Sequence, residues 1–194
     1  MKWLQRTWLN LFLERMNITL VRERDVSRDL DKRIKEGLCL CFPDDKETFS
    51  VTRAWHNTAP LWILYSDYNY SIISHIGVVD RNIRVGDQVV RIAGIQNVFV
   101  LPEFRGKGFC DVLMKEAMDK AAEYGFDYGF LFCIPEIEKV YERCGWIKLP
   151  DTSILLTDES GKDGVLPGKN IAMYFPLKFN TFPSGNIHLQ GNDW

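Results

Sequence analysis

The stretch Val98-Phe99-Val100-Leu101-Pro102-Glu103-Phe104-Arg105-Gly106-Lys107-Gly108-Phe109-Cys110 decides how this chain reads. Three apolar, strand-prone residues run into a proline, which cannot donate to a sheet ladder and so ends the strand. Two glycines follow. Beyond them Leu113, Met114, Ala117, Ala121 and Ala122 recur on one helical face, and Gly125 stops the helix. A helix that begins straight after a strand presents unpaired backbone N–H groups, and these attract anions together with the helix dipole. Gly106 and Gly108 permit positive φ and bring no side chain to an incoming phosphate. Arg105 and Lys107 add positive charge at the same place. The segment predicts a phosphate-binding turn, with a plain glycine-rich strand-to-helix turn as the alternative. A nucleoside-triphosphate loop would need Ser or Thr after Lys107, and a dinucleotide loop would need a third glycine where Asp111 stands.

Upstream, Asn17 to Glu23 alternates as a strand, and Asp25 or Ser27 can cap the helix marked by Val26, Leu30, Ile34 and Leu38. Residues 44–60 read as loop with about one helical turn. Leu61 to Tyr65 and Tyr70 to Val79 predict a hairpin turning at 66–69. Ile83 to Val85 and Gln88 to Val100 predict another around Gly86-Asp87. Gly94, inside that long strand, signals a bulge or a close backbone approach. Downstream, Tyr128 to Ile134 is a strand, and Ile137, Val140, Tyr141 and Cys144 form a short helix closed by Gly145. Trp146 to Leu149, Ser153 to Thr157 and Asn170 to Leu177 are strands, residues 158–169 are polar loop, and the tail 178–194 lacks periodicity. This order predicts an α/β (α+β) sheet in one domain.

Composition narrows the classes. The 194 residues are 46% hydrophobic and 26% charged, which excludes a disordered or fibrous chain. A formal net charge of -2 gives no bulk positive field for nucleic acid. Five cysteines without CxxC spacing, and three histidines distant from them, predict reduced thiols, a cytoplasmic location and no metal site. No apolar run reaches the roughly 18 residues of a transmembrane segment. Residues 1–15 read as an N-terminal extension, a docking helix or an over-read start, with a membrane-surface helix as the alternative.

The segment from Val100 to Cys110 resembles the V-x-P-x-x-[RQ]-G-x-G-x-[GA] motif of the GNAT (Gcn5-related N-acetyltransferase) superfamily, with Cys110 where Gly or Ala is usual. Tyr141-Glu142-Arg143-Cys144-Gly145-Trp146 is similar to that family's Y-E-x-x-G-[FW] segment. The resemblance implies one acyl-CoA N-acyltransferase domain over 16–194, tail 178–194 included. It implies a GNAT-like mixed, mostly antiparallel sheet of about seven strands flanked by helices and splayed at the cofactor strand. It also implies acetyl-CoA as cosubstrate, its pyrophosphate cradled by backbone amides of Arg105, Gly106, Lys107, Gly108, Phe109 and Cys110. Backbone groups of Val98, Phe99 and Val100 would pair with the pantetheine arm, and Tyr141 would protonate the departing thiolate. From the residues alone, Tyr141 reads first as a core aromatic on the Ile137/Val140/Cys144 face of its helix.

Diffuse similarity points to two branches that acylate a sugar amine. The aminoglycoside 2'-N-acetyltransferases resemble the long hairpin, the YxxxGW segment, the polar loop and the tail Gln190-Gly191-Asn192-Asp193-Trp194. The nodulation acyltransferases resemble His75-Ile76-Gly77-Val78-Val79 and Pro183-Ser184-Gly185-Asn186-Ile187. Where the first branch has an acid on the cofactor strand, this chain has Gln96, then Asn97; amides can orient a water or an amine but cannot act as a base. Trp194 with its terminal carboxylate, Asp193, Asp44 and Asp45 are candidates to compensate. His75 reads as a base or a hydrogen-bonded strand residue; Trp55, Trp62 and Tyr65 read as cleft or core. The expected reaction is acetyl transfer from acetyl-CoA to a primary amine of a small molecule, an amino sugar or aminoglycoside-like acceptor, by direct attack. The alternatives are a long-chain acyltransferase of the nodulation type and a non-catalytic CoA-binding regulatory module. A homodimer is an open expectation, and neither nucleic acid nor a membrane is an expected partner.

Overall fold

The computed structural model describes residues 17–150, 152–158, 160–166 and 170–194; the predicted extension at 1–15 lies outside them. The chain opens with β1 (Thr19–Arg22) and α1 (Arg28–Cys41), capped where Ser27 Oγ accepts from the Leu30 amide at 3.1 Å. A short α2 (Lys46–Val51) precedes three strands, β2 (Trp62–Tyr68), β3 (Ser71–Val85) and β4 (Gln88–Val100). Then come α3 (Phe109–Glu123), β5 (Tyr128–Cys133) and α4 (Glu138–Arg143). The remainder is strand and loop: β6 (Ile147–Lys148), β7 (Ile154–Thr157), β8 (Asp163–Val165), β9 (Ile171–Pro176) and β10 (Ile187–His188).

The main path of the sheet runs β1-β2-β3-β4-β5-β9-β6, the seven strands expected. Three more extend it to ten among the described residues, because the far end of β3 pairs β10, which leads to β7 and β8. β8 lies in the segment predicted as loop. Pairing is antiparallel except for β4 with β5 and β7 with β10. β3 is one strand of 15 residues, where a break at 80–82 was predicted. Its polar residues are partnered: Asp80 binds Arg91 at 2.7 Å, and Arg81 reaches the tail.

The first hairpin turns at Asn69-Tyr70, both at positive φ (47° and 69°), rather than at 66–69. A register shift at Ser66/Asp67 lets β2 continue past the predicted turn. Tyr70 tolerates the left-handed conformation because its hydroxyl donates to Asp29 (2.6 Å) and Arg33 lies 4.5 Å over its ring.

Alternation along β4 sorts two faces. Ala93 and Ile95 pack with Leu113, Met114, Ala117, Met118 and Ala121 of α3. Val90 and Ile92 face the other way, into a cluster with Phe130, Phe182, Ile187, Leu189 and Trp194. The tail is thus core rather than fringe; its burial escapes periodicity because only Ile187–His188 is regular strand. α1 packs on that same side, Leu30, Ile34 and Leu38 meeting Ile63, Ile73 and Phe99.

Candidate functional site

β4 and β5 are paired only from Ile92↔Tyr128 to Ile95↔Leu131, although β4 runs on to Val100. The partners of β3 skip from Gly77↔Gln96 to His75↔Phe99, so β4 carries an extra residue there, and Asn97 sits at φ 54°. The bulge bends β4 away and opens a gap beside its last five residues. On the opposite edge Leu101 still donates to Ile73 O (2.9 Å) of β3. Strand alternation therefore turns the N–H groups of Val98 and Val100 the other way, toward the gap. An extended arm can pair there as β5 does further back, and the Val100 N–H can meet a carbonyl oxygen.

The glycine turn expected to bind phosphate follows directly on this stretch of β4. Gly106 and Gly108 both have positive φ (71° and 83°), and Gly108 is the N-cap of α3. The amides of Gly106, Lys107 and Gly108 take no backbone partner among the described residues. A Cβ at Gly106 would have nothing within 4 Å, so the space before these amides is open. Arg105 is exposed, its Nε donating to Val100 O (2.9 Å), and Lys107 Nζ donates to Glu103 O (2.7 Å); both close the turn while keeping a cation on it. Phe109 is buried, its ring edge-on to Phe104 at 5.8 Å, so its side chain anchors the turn and only its backbone faces a ligand. The residues present fit the pyrophosphate of an acyl-CoA.

Tyr141 projects from α4 into the α3 side of the sheet, 7% exposed, its ring edge-on to Trp146 at 6.4 Å. Burial pushes its phenol far above the usual value, and the neighbouring Cys110, Cys133 and Cys144 add to the shift. It is core and candidate acid at once: burial keeps the phenol protonated. Cys110, in the first turn of α3, is hydrogen-bonded by Cys144, which lowers its thiol. Cys144 Sγ also lies 3.3 Å from Asp111 Oδ1, so the cysteine in the motif is tied to the end of α4.

The opposite face holds Gln96, Asn97 and the tail. Gln96 Nε2 donates to Thr58 O (3.1 Å) and Asn97 Nδ2 to Arg53 O (2.6 Å). The two amides clip the loop between α2 and β2 onto the bulge; Gln96 Oε1 is buried without a partner among the described residues. Arg53 is 6% exposed and grips Glu23 and Asp31, each at 2.7 Å. Burial opposes ionisation of Asp31, but hydrogen bonds and charge from Lys35 and Arg53 win and hold its carboxyl below the usual range. Trp194 lies across Gly94, its indole under the Arg81 guanidinium at 5.1 Å. Arg81 also donates to Asn192 O and to Thr58 Oγ1.

His75 is a strand residue: fully buried, Nδ1 2.9 Å from Asn97 O, its ring stacked on Phe99. Burial depresses its pKa to about 4, the Asn97 bond opposing and the Arg53 charge assisting. Trp62 is core, 1% exposed, while Trp55 is half-buried between Phe49 and His56. Asp44 and Asp45 lie in the 3-10 turn before α2. His56 was missed by sequence reasoning: its partner Asp193 stands at the other end of the chain, 2.5 Å from Nδ1, and no spacing rule joins them.

Comparisons with known proteins agree with this geometry. Residues 24–148 match the family model described as Acetyltransferase (GNAT) domain. No curated protein matches the chain in sequence. Among solved structures, the fold is shared with the GNAT family N-acetyltransferase YhbS of Escherichia coli in complex with CoA (15% identity, 91% of this chain and 90% of that chain, TM-score 0.63). It is shared with Escherichia coli ElaA (13% identity, 82% and 99%, TM-score 0.60). It is also shared with an acyl-CoA N-acyltransferase from Pseudomonas aeruginosa (12% identity, 82% and 99%, TM-score 0.59). Among the described residues no helix is long and apolar enough to cross a membrane. With the splayed strands, the anion turn and the family match together, the chain belongs to the GNAT acetyltransferases, enzymes that transfer an acyl group from acetyl-CoA.

Proposed function

We propose that this enzyme acetylates a primary amine of a small molecule, of the amino-sugar or aminoglycoside-like class, by direct attack on acetyl-CoA. The observation that carries the reading is the tail: Asp193 and Trp194 are folded over the face of β4 opposite α3, beside the bulge. An acceptor that enters from that side meets the Asp193 carboxylate, which suits a cationic amine.

Acetyl-CoA supplies an activated acyl group. The amides of Gly106, Lys107, Gly108 and Cys110 hold its pyrophosphate; that of Arg105, expected to join them, is taken by Pro102 O (3.2 Å), so Arg105 contributes its charge. The edge of β4 from Val98 to Val100 holds its arm, chiefly through N–H groups, since Val100 O already accepts from Arg105 Nε. The Val100 N–H faces the position where the thioester oxygen gains charge, an oxyanion contact whose loss in other enzymes lowers turnover by about 10²–10³-fold. Gln96 and Asn97 fix the acceptor loop to the bulge, so the two substrates meet in a preset geometry. Tyr141 donates its proton to the CoA thiolate as the C–S bond breaks. Five free cysteines accord with a reducing compartment, and the cytoplasm is where we place the reaction.

The test is acetyl transfer with acetyl-CoA against glucosamine, kanamycin, putrescine and a peptide with a free N-terminus, read as free CoA thiol and as product mass. The reading expects acetylated glucosamine or kanamycin with saturation kinetics. Transfer to the peptide alone would contradict it.

A further inference from the structure

We infer that His56 is the general base of the acyl transfer and that Asp193 is its positioning residue; this rests on the proposed reaction with a small primary amine. His56 Nδ1 lies 2.5 Å from Asp193 Oδ1. With the Asp193 carboxylate as acceptor, a neutral ring carries its proton on Nδ1 and its lone pair on Nε2. The Asp193 side chain is 17% exposed and that of His56 51%, so the carboxylate is sheltered behind a ring open to solvent.

Three further observations tie this pair to the β4 bulge, beside which the proposed thioester lies. First, the loop carrying His56 is fixed at both ends to the β4 bulge, Asn97 binding Arg53 O and Gln96 binding Thr58 O. These are the residues at which β4 leaves β5 and the thioester-holding edge begins. Second, the tail is locked to the same loop: Thr58 Oγ1 donates to Asp193 O (3.3 Å), Asn192 Nδ2 to His56 O (3.4 Å), and Arg81 bridges Asn192 and Thr58. Third, His56 and Asn57 both hold positive φ (41° and 57°), a conformation disfavoured for a histidine and kept only where surrounding contacts impose it. The aromatic neighbour Trp55, 4.9 Å away, covers one side of the imidazole.

In the step, the amine nitrogen forms a bond to the acetyl carbon and its N–H proton passes to Nε2. The imidazolium is held against Asp193. The C–S bond breaks and the thiolate takes the Tyr141 proton. Solvent then resets both groups, leaving amide and CoA. No oxidant, metal or further reactant enters.

The experiment uses the full chain with acetyl-CoA and the amine panel above. The variant is His56→Asn, since asparagine accepts left-handed φ better than other non-glycine residues and should leave the loop folded. Its kcat is expected to fall by about 10²-fold or more, with the KM for acetyl-CoA unchanged. Asp193→Asn should fall by a smaller factor. In His56→Gly, added imidazole should restore part of the lost rate, which a structural role would not permit. A His56→Asn enzyme with unaltered kcat, or a His56→Gly enzyme that imidazole does not revive, overturns the assignment while leaving the proposed reaction standing. A wild-type enzyme that acetylates none of the amines overturns the reaction and the assignment together.

Discussion

Trp194 lies so close over Gly94 that a Cβ on this glycine would stand 2.5 Å from the indole ring. Trp194 and the middle of the central strand are thus fitted to one another, and the proposed acceptor side would be shaped by that contact. Substituting Gly94→Val should push the indole out, as over-packing a filled core costs about 1–3 kcal/mol. Acetyl-CoA, held from the other side, should bind as before. The check is a comparison of acetyl-CoA Kd with amine KM: the first unchanged, the second raised. Loss of both would show that the contact governs the whole sheet.

Tyr141→Phe isolates the acid. The ring keeps its place against Trp146, and only the hydroxyl is lost. Turnover should drop by about 10²-fold while the acetyl-CoA Kd stays within a factor of two. Equal turnover would reduce Tyr141 to packing.

His75 predicts a pH dependence of stability. Its folded pKa of about 4 lies below the free value of 6.5. Between these values the unfolded chain binds a proton that the folded one refuses, so stability falls as pH drops from 6.5 and levels off below 4. The full effect is about 3 kcal/mol at 1.36 kcal/mol per pKa unit. Urea melts at stepped pH should show this slope in the wild type and its flattening in His75→Gln.

The legibility of the chain followed locality. The glycine turn, α3 and the capping Ser27 were readable because their signals lie within a few residues of one another; Gly94 announced a bulge or a close backbone approach, and what lies over it is the Trp194 side chain. What was hidden needs distant residues. Tyr70 takes an unfavourable turn position because Asp29 and Arg33, on α1, hold it. β8 and the buried tail follow from sheet extension past the end of β3, which no local pattern encodes. The His56–Asp193 pair joins two loops that read as polar connections.

Arg53 ties the acceptor loop to the body of the fold through Glu23 and Asp31. Arg53→Met would leave two facing carboxylates without their cation. Breaking such a pair from one side costs about 3 kcal/mol, the partners being partly hydrated. A thermal melt should report the loss, and Arg53→Lys should recover only part of it, because an ammonium cannot bridge two carboxylates with a planar fork.

The account rests most directly on the cradle at the start of α3. Titrating acetyl-CoA into the wild-type protein and into Gly108→Glu in a calorimeter tests it. A glutamate there would place a charged side chain at a left-handed N-cap, among the amides assigned to the pyrophosphate. Saturable binding in the wild type, lost in Gly108→Glu while that variant still melts cooperatively above the titration temperature, its melting point lowered by the left-handed φ, is the expected result. Equal binding by both proteins would contradict the cradle assignment and move the acyl donor elsewhere on the molecule.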